Sequence, residues 1–299
     1  MFEIYIPFLE FLKEAPSVKI LLEGIKGHPL TQLGSCEKKS DFIFLDFRHA
    51  GIFGCTNYPC PYPDKTVMID YYDGAGAFPG PAPKVLAYFK RSVVEKPILA
   101  FRNYLKFQQL DREIIPISYC VKEGAAAWDI TPLRDRPIDI SVFFNPDSAG
   151  CRGKMASFIK ATFLDKYKIS IGYCGAGGEI GRNTIQKKYY DKILDSKIVI
   201  NCNPDLYEGD WRLFEALSGA PLVMVDKMIT PVVNPFVDKK DLIYYDVNNF
   251  GGLASYVDYY LNNLEEAQAI ASQGYTNAFT NHQAKNRIDE ILSVITKKK

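Results

Sequence analysis

The chain has 299 residues, of which 47% are hydrophobic and 13% aromatic. This composition excludes a disordered or collagen-like protein, and the length predicts two domains. The formal net charge of +1 predicts no general attraction to nucleic acid or to an anionic membrane.

The cysteines and the N-terminal residues bear on the cellular compartment. The seven cysteines are scattered without C-x-x-C pairs, which favours reduced thiols over a disulfide or metal framework. Glu3 and Glu10 lie where a signal peptide would carry positive charge, and no apolar run reaches the ~18 residues that a transmembrane helix requires. We therefore expect a cytoplasmic protein without a membrane span.

The first half of the chain gives four strand predictions. They are VKILL (18–22), FIFLDF (42–47), TVMIDYY (66–72) and IIPISYC (114–120). Loops rich in glycine and proline lie at 51–65 and 74–83, and long loops of this kind often carry function. The segment TPLRDRP (131–137), with two prolines around charged residues, predicts a boundary between a domain over 1–133 and a domain over 134–299.

The second half alternates between predicted strands and predicted helices. The strands are IDISVFF (138–144), KISIGYC (168–174), KIVINC (197–202), PLVMV (221–225) and LIYY (242–245). Amphipathic helices follow at 154–167, around Tyr189 and from Trp211 onward. Short apolar strands between such helices are typical of a parallel sheet covered on both faces, so this half is predicted to be a doubly wound α/β domain. Two or three further helices either pack on this domain or cross back to the first.

Three polar loops follow strands of the second domain, at the edge where open α/β sheets bind ligands. They are NPDSAGCRGK (145–154), GAGGEIGRN (175–183) and NPDLYEGDW (203–211). Four cations lie where these loops meet the following helices: Arg152, Lys154, Arg182 and Arg212. Several of them could converge on one pyrophosphate at the helix N-termini. The second loop is similar to the dinucleotide fingerprint G-x-G-x-x-G, but Ile180 occupies the third glycine position.

The segment WRLFEALSGAPLV (211–223) carries the most specific pattern in the chain. Arg212 and Glu215 are three residues apart, on one face of a predicted helix. From about 138 to 292 the sequence resembles the donor-binding domain of GT-B glycosyltransferases, particularly exostosin-like and spore-maturation-type (CgeB-like) members, in which such an R-L-x-E-A helix precedes a strand. The resemblance implies two Rossmann-like doubly wound α/β domains facing a cleft, with a reduced N-terminal domain on the acceptor side.

The resemblance also implies roles for individual residues. It implies that Glu215 accepts hydrogen bonds from the nucleotide ribose and that Arg212 faces the diphosphate. A carboxylate can accept from two vicinal hydroxyls, and a guanidinium group offers a planar fork to phosphate oxygens. The segment YFKRS is similar to a lysine–arginine element of the relatives, so Lys90 and Arg91 are expected to reach the donor phosphates.

Glycosyl transfer requires positive charge at the leaving diphosphate and, in an inverting enzyme, a base for the acceptor hydroxyl. Metal-dependent GT-A enzymes hold the diphosphate through a D-x-D motif, which this sequence does not contain, so we expect no metal and no other cofactor. Asp73 is the preferred candidate for the base and His49 the second, because both follow predicted strands of the first domain.

The sequence therefore predicts a glycosyltransferase that moves a hexosyl or pentosyl group from a nucleotide sugar, with UDP favoured, to a hydroxyl of a glycan or glycoconjugate. Inversion and metal independence are expected, and nucleic acid is not expected as a partner. Arg152, Arg182, Tyr207 and Trp211 complete the predicted donor site. A non-catalytic nucleotide-sugar binding module is one alternative. An NAD-dependent oxidoreductase is another, but it requires an acidic residue where this chain has N-C-N (201–203).

Overall fold

Two parallel β-sheets organise the chain. The computed structural model describes residues 1–46, 60–71, 85–92, 113–122, 124–144, 147–148, 150–172, 187–203, 210–227 and 230–298. Within these ranges the first sheet has six strands and the second has five. We call the parts of the chain built around them the first lobe and the second lobe.

The first sheet is entirely parallel and has the strand order β2-β1-β3-β4-β5-β6. Its strands are β1 (Phe2–Tyr5), β2 (Thr31–Leu33), β3 (Phe42–Asp46), β4 (Thr66–Asp70), β5 (Ala87–Lys90) and β6 (Ile114–Pro116). Helices α1 (Leu9–Leu12) and α2 (Pro16–Gly27) connect β1 to β2. The N-terminal domain was expected to be reduced in size; its described residues form a sheet of six strands.

The strand predicted at 18–22 is wrong, because these residues belong to helix α2. Pro16 is the first helical residue, a position that tolerates proline since its backbone N–H would have no helical partner. Val18, Leu21 and Ile25 are buried at spacings of three and four residues, which is the period of a helix. A short continuous apolar run does not distinguish a strand from one side of a buried helix.

The second sheet is also parallel, with the order β11-β10-β9-β7-β8. Its strands are β7 (Ile138–Val142), β8 (Ile169–Ile171), β9 (Ser196–Ile200), β10 (Leu222–Asp226) and β11 (Ile243–Tyr245). Among the described residues, the helices between these strands are α3 (Gly150–Phe163), α4 (Lys187–Leu194) and α5 (Trp211–Ser218). Ile198 and Ile200 pack into one hydrophobic core, whereas Val199 packs into the other. Both faces of the sheet are thus covered, and the predicted doubly wound domain is confirmed.

Three helices follow the second sheet: α6 (Phe250–Asn262), α7 (Leu264–Asn281) and α8 (Ala284–Lys298). Leu253 of α6 and Ile270 of α7 share the core of the second lobe. Helix α8 instead crosses back to the first lobe, where His28 Nε2 lies 2.8 Å from Asp289 Oδ1. The domain division at 133 stays a prediction. Across the ranges given above, no helix combines the length and the apolar character needed to cross a bilayer.

Arg136, in the predicted boundary segment, is buried rather than solvated. Its Nε donates to the Thr131 carbonyl at 2.9 Å, Nη1 donates to the Ser196 carbonyl at 2.9 Å, and Nη2 donates to the Gly219 carbonyl at 3.0 Å. Burial lowers the pKa of Arg136 to about 10. This side chain therefore binds the boundary segment to the start of β9 and to the end of α5.

Candidate active site

Two of the predicted cations meet at one carboxylate beside the carboxyl ends of the second sheet. Arg152 lies in the first turn of α3 and Arg212 in the first turn of α5. Arg152 Nη2 is 2.5 Å from Asp210 Oδ2, and Arg212 Nη1 is 3.0 Å from the same oxygen. Cations from two separate loops are thus brought together here, and their convergence on a pyrophosphate stays a prediction.

Arg152 is held by groups at the ends of two neighbouring strands. Its Nε donates to the Cys202 carbonyl, which follows β9, at 2.9 Å. Its guanidinium carbon lies 5.6 Å from the centroid of the Phe144 ring, which follows β7. Because β7 and β9 are paired, these contacts fix the arginine at the point where the strand order of the sheet reverses. Lys154, on the same helix, is exposed.

Glu215 lies on α5, one turn after Arg212, and only 8% of it is exposed. The Tyr189 hydroxyl, on α4, donates to Glu215 Oε2 at 2.7 Å. The Tyr189 ring is itself packed against Phe143, with 4.7 Å between the centroids. Burial lowers the pKa of Lys122, and the nearby Glu215 carboxylate opposes that shift. The carboxylate is therefore oriented by a fixed donor and is close to a cation of the first lobe.

The glycine that follows α5 allows this helix to lie close to α4. A Cβ atom at Gly219 would come within 2.5 Å of Ile193 Cγ2. The Gly219 N–H continues the helix by bonding to the Ala216 carbonyl at 3.0 Å. The absence of a side chain at Gly219 therefore leaves room for Ile193 of α4 against the end of α5.

The first lobe places a second charged group at its own carboxyl edge. Lys90, at the end of β5, has its Nζ 3.0 Å from Asp70 Oδ2 at the end of the paired strand β4. The Tyr88 hydroxyl donates to the same carboxylate oxygen at 2.5 Å. The Lys90 and Asp70 side chains are each 1% exposed. Contact between Lys90 and a donor phosphate stays a prediction.

A column of aromatic rings joins the two lobes at the start of α5. The Tyr119 ring stacks on Tyr71 with 5.4 Å between centroids and packs against Trp211 at 4.5 Å. The Arg91 guanidinium carbon lies 4.8 Å from the centroid of Tyr119. Trp211, which was predicted to belong to the donor site, thus has its ring against the first lobe, and its contact with a donor stays a prediction. Arg91 therefore contacts Tyr119, and Tyr119 contacts Trp211, the residue that precedes Arg212 on α5.

Four predicted site residues lie outside the described part of the chain: Asp73, His49, Arg182 and Tyr207. Their roles as base candidates and donor contacts stay predictions. Among the described residues there is no group of three or more His, Cys, Asp or Glu side chains that could hold a metal ion.

Sequence reasoning missed three residues of this site: Asp210, Tyr189 and Asn201. Asp210 directly precedes the helix that carries the R-L-x-E-A pattern, and its position beside that pattern is the signal that could have identified it as a site residue. Asn201 follows β9 and is 1% exposed, and in the described structure neither Nδ2 nor Oδ1 has a hydrogen-bond partner. A buried amide without partners is costly, and such groups concentrate where ligands or water complete them.

The geometry combines three functions that a nucleotide-binding site requires. Paired guanidinium groups can bind phosphate oxygens, and a buried carboxylate one helical turn away can accept from hydroxyl groups. Arg91, a cation of the first lobe, contacts the ring of Tyr119, which in turn contacts Trp211 at the start of α5. The site is therefore suited to a diphosphate linked to a polyol such as ribose, held between the lobes.

Part of the chain matches a known protein family. A family model described as glycosyl transferase-like matches residues 158–293. The matched segment contains Tyr189, Asp210, Arg212 and Glu215 but not Arg152. A comparison with curated protein sequences gives no significant match.

Several solved structures share the fold at low sequence identity. An alpha-glucosyltransferase in complex with UDP and a 13-mer DNA is 9% identical, with a TM-score of 0.63 and 99% of each chain covered. A glycosyltransferase from Rickettsia africae is 12% identical, with a TM-score of 0.56 and coverage of 99% of this chain and 98% of that one. A point mutant of S. aureus TarM, in complex with Fondaparinux, alpha-GlcNAc-glycerol and UDP, is 13% identical, with a TM-score of 0.58. That match covers 85% of this chain but 55% of TarM, so this chain spans about half the length of TarM. The two parallel-sheet lobes and these neighbours confirm the predicted GT-B fold.

Proposed function

We propose that the chain is a glycosyltransferase that transfers a hexosyl or pentosyl group from a UDP-sugar to a hydroxyl of a glycan or glycoconjugate; the glycosyl transferase-like match over residues 158–293 and the GT-B fold support this proposal. One observation carries the choice of donor: Arg152 and Arg212 converge on a single carboxylate, with Glu215 one turn along the same helix as Arg212. The resemblance to exostosin-like and CgeB-like enzymes supports the same proposal.

In the proposed complex, each of these groups contacts a different part of the nucleotide. Glu215 accepts from the ribose hydroxyls while it keeps its bond to Tyr189, because a carboxylate has about four acceptor positions. Arg152 and Arg212 bind the diphosphate as planar forks. Lys90 and Arg91 approach the same phosphates from the first lobe.

Positive charge at the diphosphate also accelerates the reaction. When the glycosidic bond breaks, negative charge accumulates on the departing nucleoside diphosphate, and fixed cations near it lower the energy of the transition state. The loss of one such contact typically costs about 3 kcal/mol of transition-state stabilisation, or a rate decrease of about a hundredfold.

We propose that these guanidinium groups replace a divalent metal ion. Two arginines in reach of one diphosphate supply the charge that a bound ion would otherwise provide. We expect the rate of nucleoside diphosphate release to be unchanged by EDTA. A rate that falls with EDTA and returns with Mg²⁺ or Mn²⁺ would contradict this part of the proposal.

Inversion is proposed from the resemblance, whereas the candidates for the base are proposed from their positions after predicted strands of the first domain. An inverting transfer requires a base near the acceptor hydroxyl, for which Asp73 is the first candidate and His49 the second. NMR of the product tests the proposal directly, because inversion changes the anomeric configuration relative to the donor and retention preserves it.

The acceptor is proposed to be a glycan. The nearly balanced charge of the chain, +1, argues against the phosphate backbone of a nucleic acid as its substrate. One neighbour was solved with UDP and DNA, however, so a DNA acceptor is included in the test. Transfer to DNA instead of to glycans would replace this part of the proposal.

Release of the nucleoside diphosphate from a panel of UDP-sugars and GDP-sugars, with NAD as a binding control, tests the proposed function. We expect UDP release that Arg212→Ala and Glu215→Ala each reduce by at least tenfold. Arg134→Ala and Glu265→Ala, at exposed positions, are matched controls and should retain the wild-type rate. Binding of the UDP-sugar without any release would favour a non-catalytic binding module, and stabilisation by NAD alone would favour an oxidoreductase.

A further inference from the structure

Asp210 forms ion pairs with both arginines through one oxygen atom. Arg152 Nη2 lies 2.5 Å from Asp210 Oδ2, and Arg212 Nη1 lies 3.0 Å from it. The three side chains are only 10 to 20% exposed, so water and salt screen the charges weakly. These three side chains together carry two positive charges and one negative charge.

We propose that Asp210 is a resident counter-ion that competes with the donor diphosphate for Arg152 and Arg212, and thereby weakens the binding of the UDP product. The inference rests on the proposed function, because it assumes that the diphosphate binds these arginines. It adds a role for a residue that the donor-binding pattern does not assign.

The charges around the cluster determine the direction of the effect. Without a ligand, the Asp210 carboxylate offsets the repulsion between two guanidinium groups that are held close together in a partly buried site. Once a diphosphate is bound, its own negative charges offset that repulsion, and the nearby carboxylate then repels the ligand. Asp210 therefore stabilises the empty site more than the occupied site.

The competition affects the product more than the donor. In a UDP-sugar the terminal phosphate is esterified, whereas in free UDP it can ionise once more, with a pKa of about 6. Free UDP therefore carries more negative charge close to Asp210 at neutral pH. A carboxylate at this position favours departure of UDP after transfer, which is a step that often limits turnover.

Asp210→Asn tests the proposal because asparagine keeps the size of the side chain and an acceptor oxygen for the arginines while removing the charge. By calorimetry, we expect this variant to bind UDP about five- to thirtyfold more tightly than the wild type, with a smaller change for a UDP-sugar. Its melting temperature without ligand should fall, and UDP should raise it by more than it raises that of the wild type. The inhibition constant for UDP should fall together with kcat.

Two further variants control for structure and charge. Asp139→Asn removes the carboxylate of another partly buried pair in the second lobe, where Lys197 Nζ lies 2.6 Å from Asp139 Oδ1, and should leave UDP affinity unchanged. Asp210→Glu retains the charge and should bind UDP within about threefold of the wild type. If Asp210→Asn does not fold, Asp210→Ser replaces it in the same measurements.

The outcomes separate this inference from the proposed function. If Arg212→Ala and Glu215→Ala lose UDP affinity while Asp210→Asn binds UDP equally or less tightly than the wild type, the counter-ion role is overturned and the proposed function stands. If UDP affinity is unaffected by Arg212→Ala and Glu215→Ala, the proposed function itself fails, and the counter-ion role fails with it.

Discussion

Tyr189 shows how a single hydroxyl can prepare a binding group. Its Oη donates to Glu215 Oε2 at 2.7 Å, and its ring is fixed by Phe143 and by an edge contact with Tyr190. The bond fixes the orientation of the Glu215 carboxylate. It therefore also fixes the directions of the acceptor positions that remain for the hydroxyl groups of a ribose. Binding costs less when a group is already oriented, because no rotamer freedom remains to be lost.

We predict that Tyr189→Phe weakens UDP binding about three- to tenfold, because about 1 kcal/mol of hydrogen bonding to the carboxylate is lost. Calorimetric titration with UDP measures the change. Tyr167→Phe is the matched control, since Tyr167 also donates to a carboxylate, Asp258 Oδ1, at 2.8 Å but on the other face of the second sheet. Equal UDP affinity in the two variants would contradict a role for Tyr189 in orienting Glu215.

Individual site residues could be predicted only where they belong to a local sequence pattern. Arg212 and Glu215 lie within one helix, so their spacing is visible in the sequence. Asp210 became a site residue because Arg152, 58 positions away in the chain, reaches its carboxylate. Arg136 was interpreted as part of a charged boundary, because two of the carbonyl groups that its buried guanidinium contacts, those of Ser196 and Gly219, lie 60 and 83 positions away in the chain.

At the scale of elements, helices α2 and α8 make a close contact through a glycine. A Cβ atom at Gly24 would come within 2.7 Å of the Ala284 carbonyl oxygen and of Ile288 Cγ1. A backbone oxygen cannot move by side-chain rotation, so helices α2 and α8 would have to separate to make room for the Cβ atom. The contact matters because α8 is the segment through which the end of the chain packs on the first lobe.

We therefore predict that Gly24→Ala lowers the free energy of unfolding by about 1–3 kcal/mol, the usual cost of overpacking a core. Urea denaturation measures this change. Gly27→Ala, on the same helix, is the control: its Cβ would meet Lys285 Cβ at 3.9 Å, an ordinary contact, so stability should be unchanged or slightly higher. A Gly24→Ala variant as stable as Gly27→Ala would show that the two helices can move apart freely.

Elements of the second lobe were predictable because its strands are continuous apolar runs between amphipathic helices. In the first lobe the same logic identified β3 and β4 but failed at 18–22, where one buried side of a helix gives an apolar run as well. The edge strand β2 has only three residues, two of them exposed, and offers no pattern to detect. Tertiary packing determines the secondary structure of such segments.

At the scale of the whole molecule, His282 lies where the chain passes from the second lobe to the first. It is fully buried between α7 and α8. Its Nε2 is 3.0 Å from the Asn234 carbonyl, and its Nδ1 is 3.3 Å from Arg287 Nη2. This arrangement requires a neutral ring that donates from Nε2 and accepts at Nδ1. Burial, and next the charge of Arg287, lower the pKa of His282 to about 3.

Acid should therefore destabilise the protein through His282. In the unfolded chain the imidazole regains its ordinary pKa of about 6.5, so between about pH 6.5 and pH 3 the unfolded state binds the extra proton. The stabilising contribution is complete above pH 6.5 and decreases by about 1.4 kcal/mol per pH unit as the pH falls. His282→Gln should lose this part of the pH dependence, because glutamine does not titrate.

Unfolding free energies of wild type and His282→Gln, measured from pH 7.5 to pH 4.5, test this prediction. The difference between them should shift in favour of the variant below about pH 6.5. Glu290, which pairs with Arg287 at 2.8 Å, is present in both proteins, so its titration largely cancels in the difference. Parallel curves would contradict the assignment of a neutral, depressed His282.

The relation between the lobes was the least predictable feature of the molecule. The sequence predicts two doubly wound lobes and the sheet edges that carry the site. It does not predict that α8 returns to α2 or that Trp211 packs against Tyr119, because both contacts join segments far apart in the chain. Periodicity shows that a helix has a buried face, but it does not show which distant segment covers that face, so local patterns cannot predict such contacts.

The most direct measurement for the account is calorimetric titration of UDP into the wild type, Arg212→Ala and Glu215→Ala, with Arg134→Ala and Glu265→Ala as exposed controls. Loss of a charge-assisted contact should cost about 2–3 kcal/mol, so each site variant should bind UDP about 30- to 150-fold more weakly, while both controls match the wild type. Equal UDP affinity in all five folded proteins would contradict the claim that a nucleoside diphosphate binds at the start of α5.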